Sequence, residues 1–339
     1  MRRLILVAVL LLGFLFVLSQ FAELQQVQEA FKRADPRWLA LGALVHLIWL
    51  LNLGASFDTI YRMLGMRENI LHLTLVATAA QFISVVAPSG GMGGMAVLLA
   101  DGSRRGHPAG RVTTAAALFI FFEQVSLLGV ISLGLVVLFR RGILSGAEVA
   151  AALILAGIAL VVGLLLLLGM RSAHVLGRAL AWLGGLANRA AFPLLRRELF
   201  DLRQAHVFAF DIHEGLHQVR RAPRGLLLPA ALSMSSKALL MTVLFLVFVA
   251  FRQPYTPGTL VAGFSIGYLF YIVSPTPTGI GFVEGAMTLV LGSLRVPVAT
   301  AAAIVLAFRG ITFWLTILYG MLVLRWVGLR PSARAEPPN

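Results

Sequence analysis

The stretch SPTPTGIGFVEG, residues 274–285, places two prolines, three glycines and a carboxylate inside a part of the chain that is otherwise apolar. Proline lacks an amide hydrogen, glycine is a weak helix former, and a charge is costly inside a membrane. A break in a membrane-embedded helix is tolerated only where protein or a water-filled cavity covers the freed backbone groups. The stretch therefore predicts the tip of a broken helical hairpin in a membrane protein.

The composition supports the same class of protein. Hydrophobic residues make up 59% of the 339 residues and charged residues only 12%, against roughly 45–50% and 25% in soluble domains. The apolar runs do not alternate with polar residues, which favours helices over an outer-membrane barrel. The net charge of +14 is almost wholly arginine and is typical of cytoplasmic loops, so we expect no nucleic-acid partner. The absence of cysteine excludes disulfides and thiolate chemistry.

We expect an all-α, polytopic helical bundle with about six full spans, because each long apolar run meets the need for roughly 20 helical residues. The predicted spans are 4–21, 38–57, 112–139, 147–170, 226–251 and 297–324. Two further apolar stretches, 70–100 and 259–294, are interrupted by glycine and proline and are predicted to be re-entrant hairpins.

Arginine-rich loops predict the orientation. The segment 171–225 contains nine arginines against four acidic residues, and three more arginines follow residue 324. Positive loops stay inside, so we expect both termini in the cytoplasm of a bacterial inner membrane, with residues 4–21 as an uncleaved signal anchor. The first hairpin then opens to the cytoplasm and the second opens outward.

The two hairpins also resemble each other in sequence. Pro88 corresponds to the pair Pro275 and Pro277, and Gly91-x-Gly93 corresponds to Gly279-x-Gly281. Transporters often build a central site from two repeats of opposite orientation. We therefore predict an inverted repeat, although glycines can also serve helix packing alone. The chain is treated as one transmembrane domain, 1–339, with repeat one at about 58–139, a cytoplasmic amphipathic segment at 171–225 and repeat two at about 245–327.

Four charged residues, Glu123, Lys237, Glu284 and Arg309, lie within apolar segments and must face protein or water. Glu123 and Arg309 occupy equivalent places in the two repeats, so one interpretation pairs them structurally across the pseudo-twofold axis. In the other, Arg309 and Lys237 bind a lipid phosphate while the two carboxylates bind a cationic part of the headgroup. The candidate substrate-binding or translocation residues are Glu284, Arg309, Glu123, Lys237, Pro88, Gly91, Gly93, Pro277, Gly279, Gly281 and Gly285.

Residues 213–217, HEGLH, match the H-E-x-x-H pattern of zinc proteases. The central glycine weakens a helix, and no third ligand follows before the next span. Solvated histidines are the preferred interpretation, and we expect neither a metal nor another cofactor.

Several motifs resemble the flippase-like bacterial membrane family related to the transmembrane region of lysylphosphatidylglycerol synthase. They are the APSGGMGG element at 87–94, the PTPTGIGFVEGA element at 275–286 and AFRGITFWLTILYG at 307–320. The resemblance covers essentially the whole chain and implies translocation of lipid between leaflets. The aminoacyl-transferring domain of the synthase has no counterpart here, which leads to the expectations that the chain is not an enzyme and that a separate enzyme makes any modified lipid.

The sequence thus predicts a protein that binds or translocates an anionic or headgroup-modified phospholipid. The alternative is a small-solute or ion-coupled secondary transporter, and a zinc protease using HEGLH ranks below both. The sequence does not indicate the particular lipid, the direction of transport, the energy source or the oligomeric state.

Overall fold

The computed structural model of the chain describes residues 21–86, 92–182, 185, 204–221, 223–274 and 279–327. These residues are almost entirely helical and include no β-strand. The protein is an all-α polytopic membrane protein, as the sequence predicts.

The helices are named α1 to α12 in chain order, and a turn of π-helix at Gly310–Trp314 joins α11 to α12. Their bounds are α1 Phe21–Arg33, α2 Pro36–Met63, α3 Ile70–Val86, α4 Met92–Arg104, α5 Ala109–Arg140, α6 Gly146–Arg171, α7 Gln204–Arg221, α8 Leu227–Ala250, α9 Pro257–Val273, α10 Phe282–Ser293, α11 Val298–Arg309 and α12 Leu315–Val327.

Five helical segments in the described part of the chain are long and apolar enough to cross a membrane. They are Pro36–Met63, Ala109–Arg140, Gly146–Arg171, Arg224–Ala250 and Val298–Val323. They coincide with the second to sixth predicted spans, and most begin or end a few residues beyond them. The first predicted span, 4–21, lies almost wholly outside the described residues.

The two interrupted stretches each form a pair of shorter helices. Helices α3 and α4 pack against each other, and so do α9 and α10. The tip residues 87–91 and 275–278, which include Pro88, Gly91 and Pro277, lie outside the described residues. The tip residue Gly279 has a φ of +74°, and a Cβ there would lie 2.5 Å from Cγ2 of Val283, so the position requires glycine.

Helices α2 and α8 pack along each other and are called the central helices here, because both also contact α5 and the π-helical turn. Two polar bridges link them: the indole Nε1–H of Trp49 donates to Ser236 Oγ at 2.9 Å, and the amide of Asn52 donates to Ser235 Oγ at 2.6 Å. On the two sides of this pair, α3 packs against α12 and α9 packs against α5. The hairpins are thus held next to the central helices.

Helix α7 is the best described part of the predicted amphipathic segment, since residues 186–203 lie outside the described residues. It packs against α5 and α6 and buries an apolar face of Ala209, Ile212, Leu216 and Val219. The helical spacing of apolar residues in this segment is therefore explained by the packing of α7 onto the bundle.

Candidate functional site

A polar cavity of about 340 Å³ lies inside the bundle, between the two hairpins and the central helices. Three charged side chains among the described residues line it: Glu123 of α5, Lys237 of α8 and Arg309 of α11. Each of these residues lies near the middle of its membrane-spanning segment. The remaining lining is aromatic, apolar or uncharged polar: Trp49, Gln81, Val85, Phe119, Ile120, Gln124, Leu240, Gly267, Tyr268, Tyr271, Val283, Met287, Phe308, Thr312, Phe313 and Thr316.

The first ion pair of the cavity joins α5 to α8. The ammonium of Lys237 donates to Oε2 of Glu123, and the Lys237 side chain is only 6% exposed. The other carboxylate oxygen, Glu123 Oε1, is buried and has no hydrogen-bond partner among the described residues. A buried carboxylate oxygen without a donor is energetically costly, so this atom is a natural acceptor for a ligand.

The second ion pair joins α10 to α11. Nε of Arg309 donates to Oε1 of Glu284 at 2.7 Å, while Oε2 of Glu284 accepts from the backbone N–H of Gly281 at 2.7 Å. Glu284 therefore caps the first turn of α10 and holds Arg309 at the same time. Gly281, with a φ of +81°, supplies the backbone conformation for this cap.

The guanidinium of Arg309 also lies over the ring of Phe313, 4.4 Å from the ring centroid. Phe313 belongs to the π-helical turn that begins directly after Arg309. Such turns are rare and are frequent at functional sites, because the extra residue redirects the side chains around it. Here the turn lines the cavity with Thr312 and Phe313.

These pairs correct one of the two interpretations of the intramembrane charges. Glu123 and Arg309 do occupy the same cavity, but their carboxylate and guanidinium pair with Lys237 and Glu284 instead of with each other. Each ion pair therefore joins helices that pack side by side in the fold, and the predicted structural pair of Glu123 with Arg309 is wrong.

The predicted glycines fall into different environments. Gly93 lies in the first turn of α4 and Gly279 is buried at the second hairpin. Gly281 and Gly285 are exposed, and a Cβ at either would meet nothing within 4 Å. The structure thus gives Gly279 a packing and conformational role and Gly281 a capping role, whereas nothing in it constrains Gly285.

The HEGLH residues lie on α7, away from the cavity lining. Nδ1 of His213 contacts the carbonyl oxygen of Gly169, and Glu214 pairs with Arg111 at 3.3 Å. Within the described ranges, no three His, Asp or Glu side chains are grouped as metal ligands would be. Contacts with neighbouring helices account for His213 and Glu214, whereas His217 is exposed.

A second cavity of about 470 Å³ lies beside the first, among α2, α3, α4 and α5. Its walls are mainly apolar, and small residues of α3 and α5 provide much of its space. The lining residues are Leu53, Phe57, Ala77, Ala80, Gln81, Ser84, Gly94, Met95, Leu98, Ala116, Phe119 and Ile120. Sequence reasoning gave no indication of this cavity, because its residues look like ordinary apolar helix positions.

Most of the polar cavity's uncharged lining was also missed. Tyr268, Tyr271 and Trp49 stand in apolar runs where aromatic residues are common, so they carry no signal of their own. The proximity of Tyr271 to Arg309 in a charged cavity depends on how α9 packs against its neighbours. The available signal was indirect: a broken helix predicts that something polar lies next to it.

These features define a multi-pass helical membrane protein with a charged cavity at its centre. The chain belongs to the family described as the lysylphosphatidylglycerol synthase TM region, whose model matches residues 4–320. This is a membrane-domain family related to lipid handling. No curated protein is significantly similar to the chain in sequence.

The family corrects the expectation that the chain is not an enzyme. Its name refers to lysylphosphatidylglycerol synthase, which is an enzyme, although the part matched is the transmembrane region. The family relationship therefore opposes a purely non-enzymatic assignment.

Proposed function

We propose that this protein binds a phospholipid by its headgroup in the polar cavity and moves that lipid between the leaflets of a bacterial inner membrane. The observation that carries the proposal is the cavity itself, with Lys237, Arg309 and Glu123 on its walls near the middle of the membrane-spanning segments. Charged residues at that depth are costly and commonly mark the path of a substrate. Membership of a lipid-related membrane family agrees with a lipid substrate.

The charges around the cavity favour a headgroup that carries both signs. Lys237 is balanced by Glu123 and Arg309 is balanced by Glu284, so the two pairs together are neutral. A phosphate that takes the two cations would leave a buried carboxylate without its counter-charge, which is strongly unfavourable. An ammonium group on the same headgroup can bind Glu123, whose Oε1 has no partner among the described residues.

The arrangement of helices supports movement as well as binding. The series α2, α3, α4 and α5 is followed later by α8, α9, α10 and α11–α12, with similar helix lengths in the same order. The packing is also reciprocal, since α3 contacts α12 and α9 contacts α5. We infer an inverted repeat with two oppositely opening hairpins and cytoplasmic termini, an arrangement that gives a central site access to either side in turn.

Reconstituted vesicles provide the test. The purified protein would be placed in vesicles that contain fluorescent phosphatidylethanolamine, phosphatidylglycerol or lysylphosphatidylglycerol, and lipid exchange between leaflets would be followed by quenching of the outer leaflet. We expect faster exchange of the ammonium-bearing lipids and loss of that exchange in Lys237→Met and in Glu123→Gln.

The matched control is Lys32→Met, because Lys32 is the only other lysine and is exposed. Its exchange rate should equal that of the wild type. Uptake of small charged solutes without any lipid exchange would instead support a solute transporter and refute the proposal.

A further inference from the structure

The apolar cavity has the dimensions and the chemistry of a chain-binding site. Its volume of about 470 Å³ falls within the roughly 300–1,000 Å³ of ordinary ligand pockets. Among the described residues, the polar side chains on its walls are Gln81 and Ser84. Ala77, Ala80 and Ala116 are all buried and leave room between α3 and α5 where larger side chains would fill it.

The two cavities are adjacent. Gln81, Phe119 and Ile120 line both of them, so the charged space and the apolar space meet at these three residues. A phospholipid has the same division into a charged headgroup and an apolar chain, joined by a short ester region. Of the three residues that line both cavities, Gln81 is the one with a polar side chain, so an ester region that joined the two spaces would pass beside it.

We propose that the apolar cavity holds one acyl chain of the phospholipid whose headgroup occupies the polar cavity. This inference rests on the proposed function. The surrounding bilayer is as apolar as the cavity, so entering it brings the chain little hydrophobic gain. The cavity therefore selects acyl chains by their length and shape, because close-packed walls tolerate added volume poorly.

Photochemical labelling can distinguish a specifically held chain from ordinary bilayer lipid. The first probe is phosphatidylethanolamine with a diazirine near the end of one chain, and the second is diacylglycerol with the same chain. Both would be incorporated into vesicles containing the full-length protein, and labelled residues would be identified by mass spectrometry. We expect the first probe to label Met95 and Ala116 about fivefold more than the second, which corresponds to about 1 kcal/mol.

Leu75 provides the internal reference, because it lies on α3, is 40% exposed and is not part of the cavity. Both probes should label it equally. In Lys237→Met, labelling of Met95 by the phosphatidylethanolamine probe should fall to the level of the diacylglycerol probe, while labelling of Leu75 stays the same.

A pair of opposite substitutions tests selection by fit. Ala80→Phe fills the cavity and should shift the preferred substrate to shorter chains, with about tenfold weaker binding of a 16-carbon lipid. Leu98→Ala enlarges the cavity and should shift the preference to branched or longer chains. A variant that simply misfolds would lose binding of every chain length, and Leu75→Phe, outside the cavity, should leave the preference unchanged.

Each outcome decides the matter. Equal labelling of Met95 by the two probes would mean that any bilayer chain enters, and it would overturn the inference. Headgroup-dependent binding with labelling confined to Leu75 would overturn it while leaving the proposed function intact. If no lipid bound the wild type through its headgroup, the proposed function itself would fail.

Discussion

The buried ion pair between Lys237 and Glu123 allows a quantitative test of the central site. Glu123→Gln leaves the ammonium of Lys237, whose side chain is only 6% exposed, opposite a neutral amide. Removing one partner of a buried pair costs about 3–5 kcal/mol, because the remaining charge stays desolvated. We expect Glu123→Gln to lower the unfolding free energy by about 3 kcal/mol. This is the lower end of the range, since the Glu123 side chain is 19% exposed and faces a cavity that water can enter.

The double variant Glu123→Gln/Lys237→Met removes both charges and keeps similar side-chain lengths. Replacing an entire buried pair with neutral groups is commonly close to neutral, so its unfolding free energy should lie within about 1 kcal/mol of the wild type. The coupling between the two positions is then about 2 kcal/mol or more, which is large for a contact pair.

Reversible unfolding in mixed detergent micelles, followed by circular dichroism, would measure the four proteins of this cycle. Lys32→Met is the matched control and should change the unfolding free energy by less than about 0.5 kcal/mol, as exposed substitutions usually do. If the unfolding free energy of the double variant falls by the sum of the decreases in the two single variants, the charges are not coupled and the reasoning is refuted.

Three further predictions concern the hairpins, their orientation and the central helices. Gly279→Ala should lower the unfolding free energy by about 1–3 kcal/mol, because residue 279 has a left-handed backbone conformation. Gly285→Ala should be neutral or stabilising, because a Cβ at that position would meet open space. Equal shifts in the thermal unfolding of the two variants would contradict this. In the naturally cysteine-free chain, an impermeant thiol reagent applied to intact cells should label Ser293→Cys and not Arg67→Cys, both exposed positions, and labelling of both would refute the opposed hairpins. Trp49→Phe should lower the unfolding free energy, measured by denaturation, by about 1 kcal/mol, because it removes the hydrogen bond to Ser236 of α8. An unchanged unfolding free energy would argue against that bond.

Much of the fold was predictable because the physical constraints on a membrane span are simple. A run of about 20 apolar residues can only be a spanning or deeply buried helix, so five of the predicted spans coincide with helices that are long and apolar enough to cross a membrane. The helix break at 274–285 could also be predicted, since helix-breaking residues are tolerated at few places in a membrane. Burial of the α7 face was less evident, because an amphipathic helix can dock on protein or lie on a membrane surface.

The intramembrane charges show where sequence reasoning stops. Glu123, Lys237, Glu284 and Arg309 could be singled out because a charge in an apolar run needs a reason. Their partners could not be assigned, since the choice depends on which helices pack side by side. The assumed symmetry suggested Glu123 with Arg309, and the fold instead satisfies each charge from a neighbouring helix.

The two bonds made by Glu284 have a consequence for how the molecule would respond to an anion. One carboxylate holds the guanidinium of the cavity, and the same carboxylate closes the first turn of the helix beyond the hairpin tip. An anion that binds the guanidinium would displace Oε1 of Glu284 and leave its Oε2, which accepts from the backbone N–H of Gly281, to hold the carboxylate in place. The charge state of the cavity and the cap of α10 are thus linked through the single side chain of Glu284, which contacts Arg309 from outside the set of residues that line the cavity.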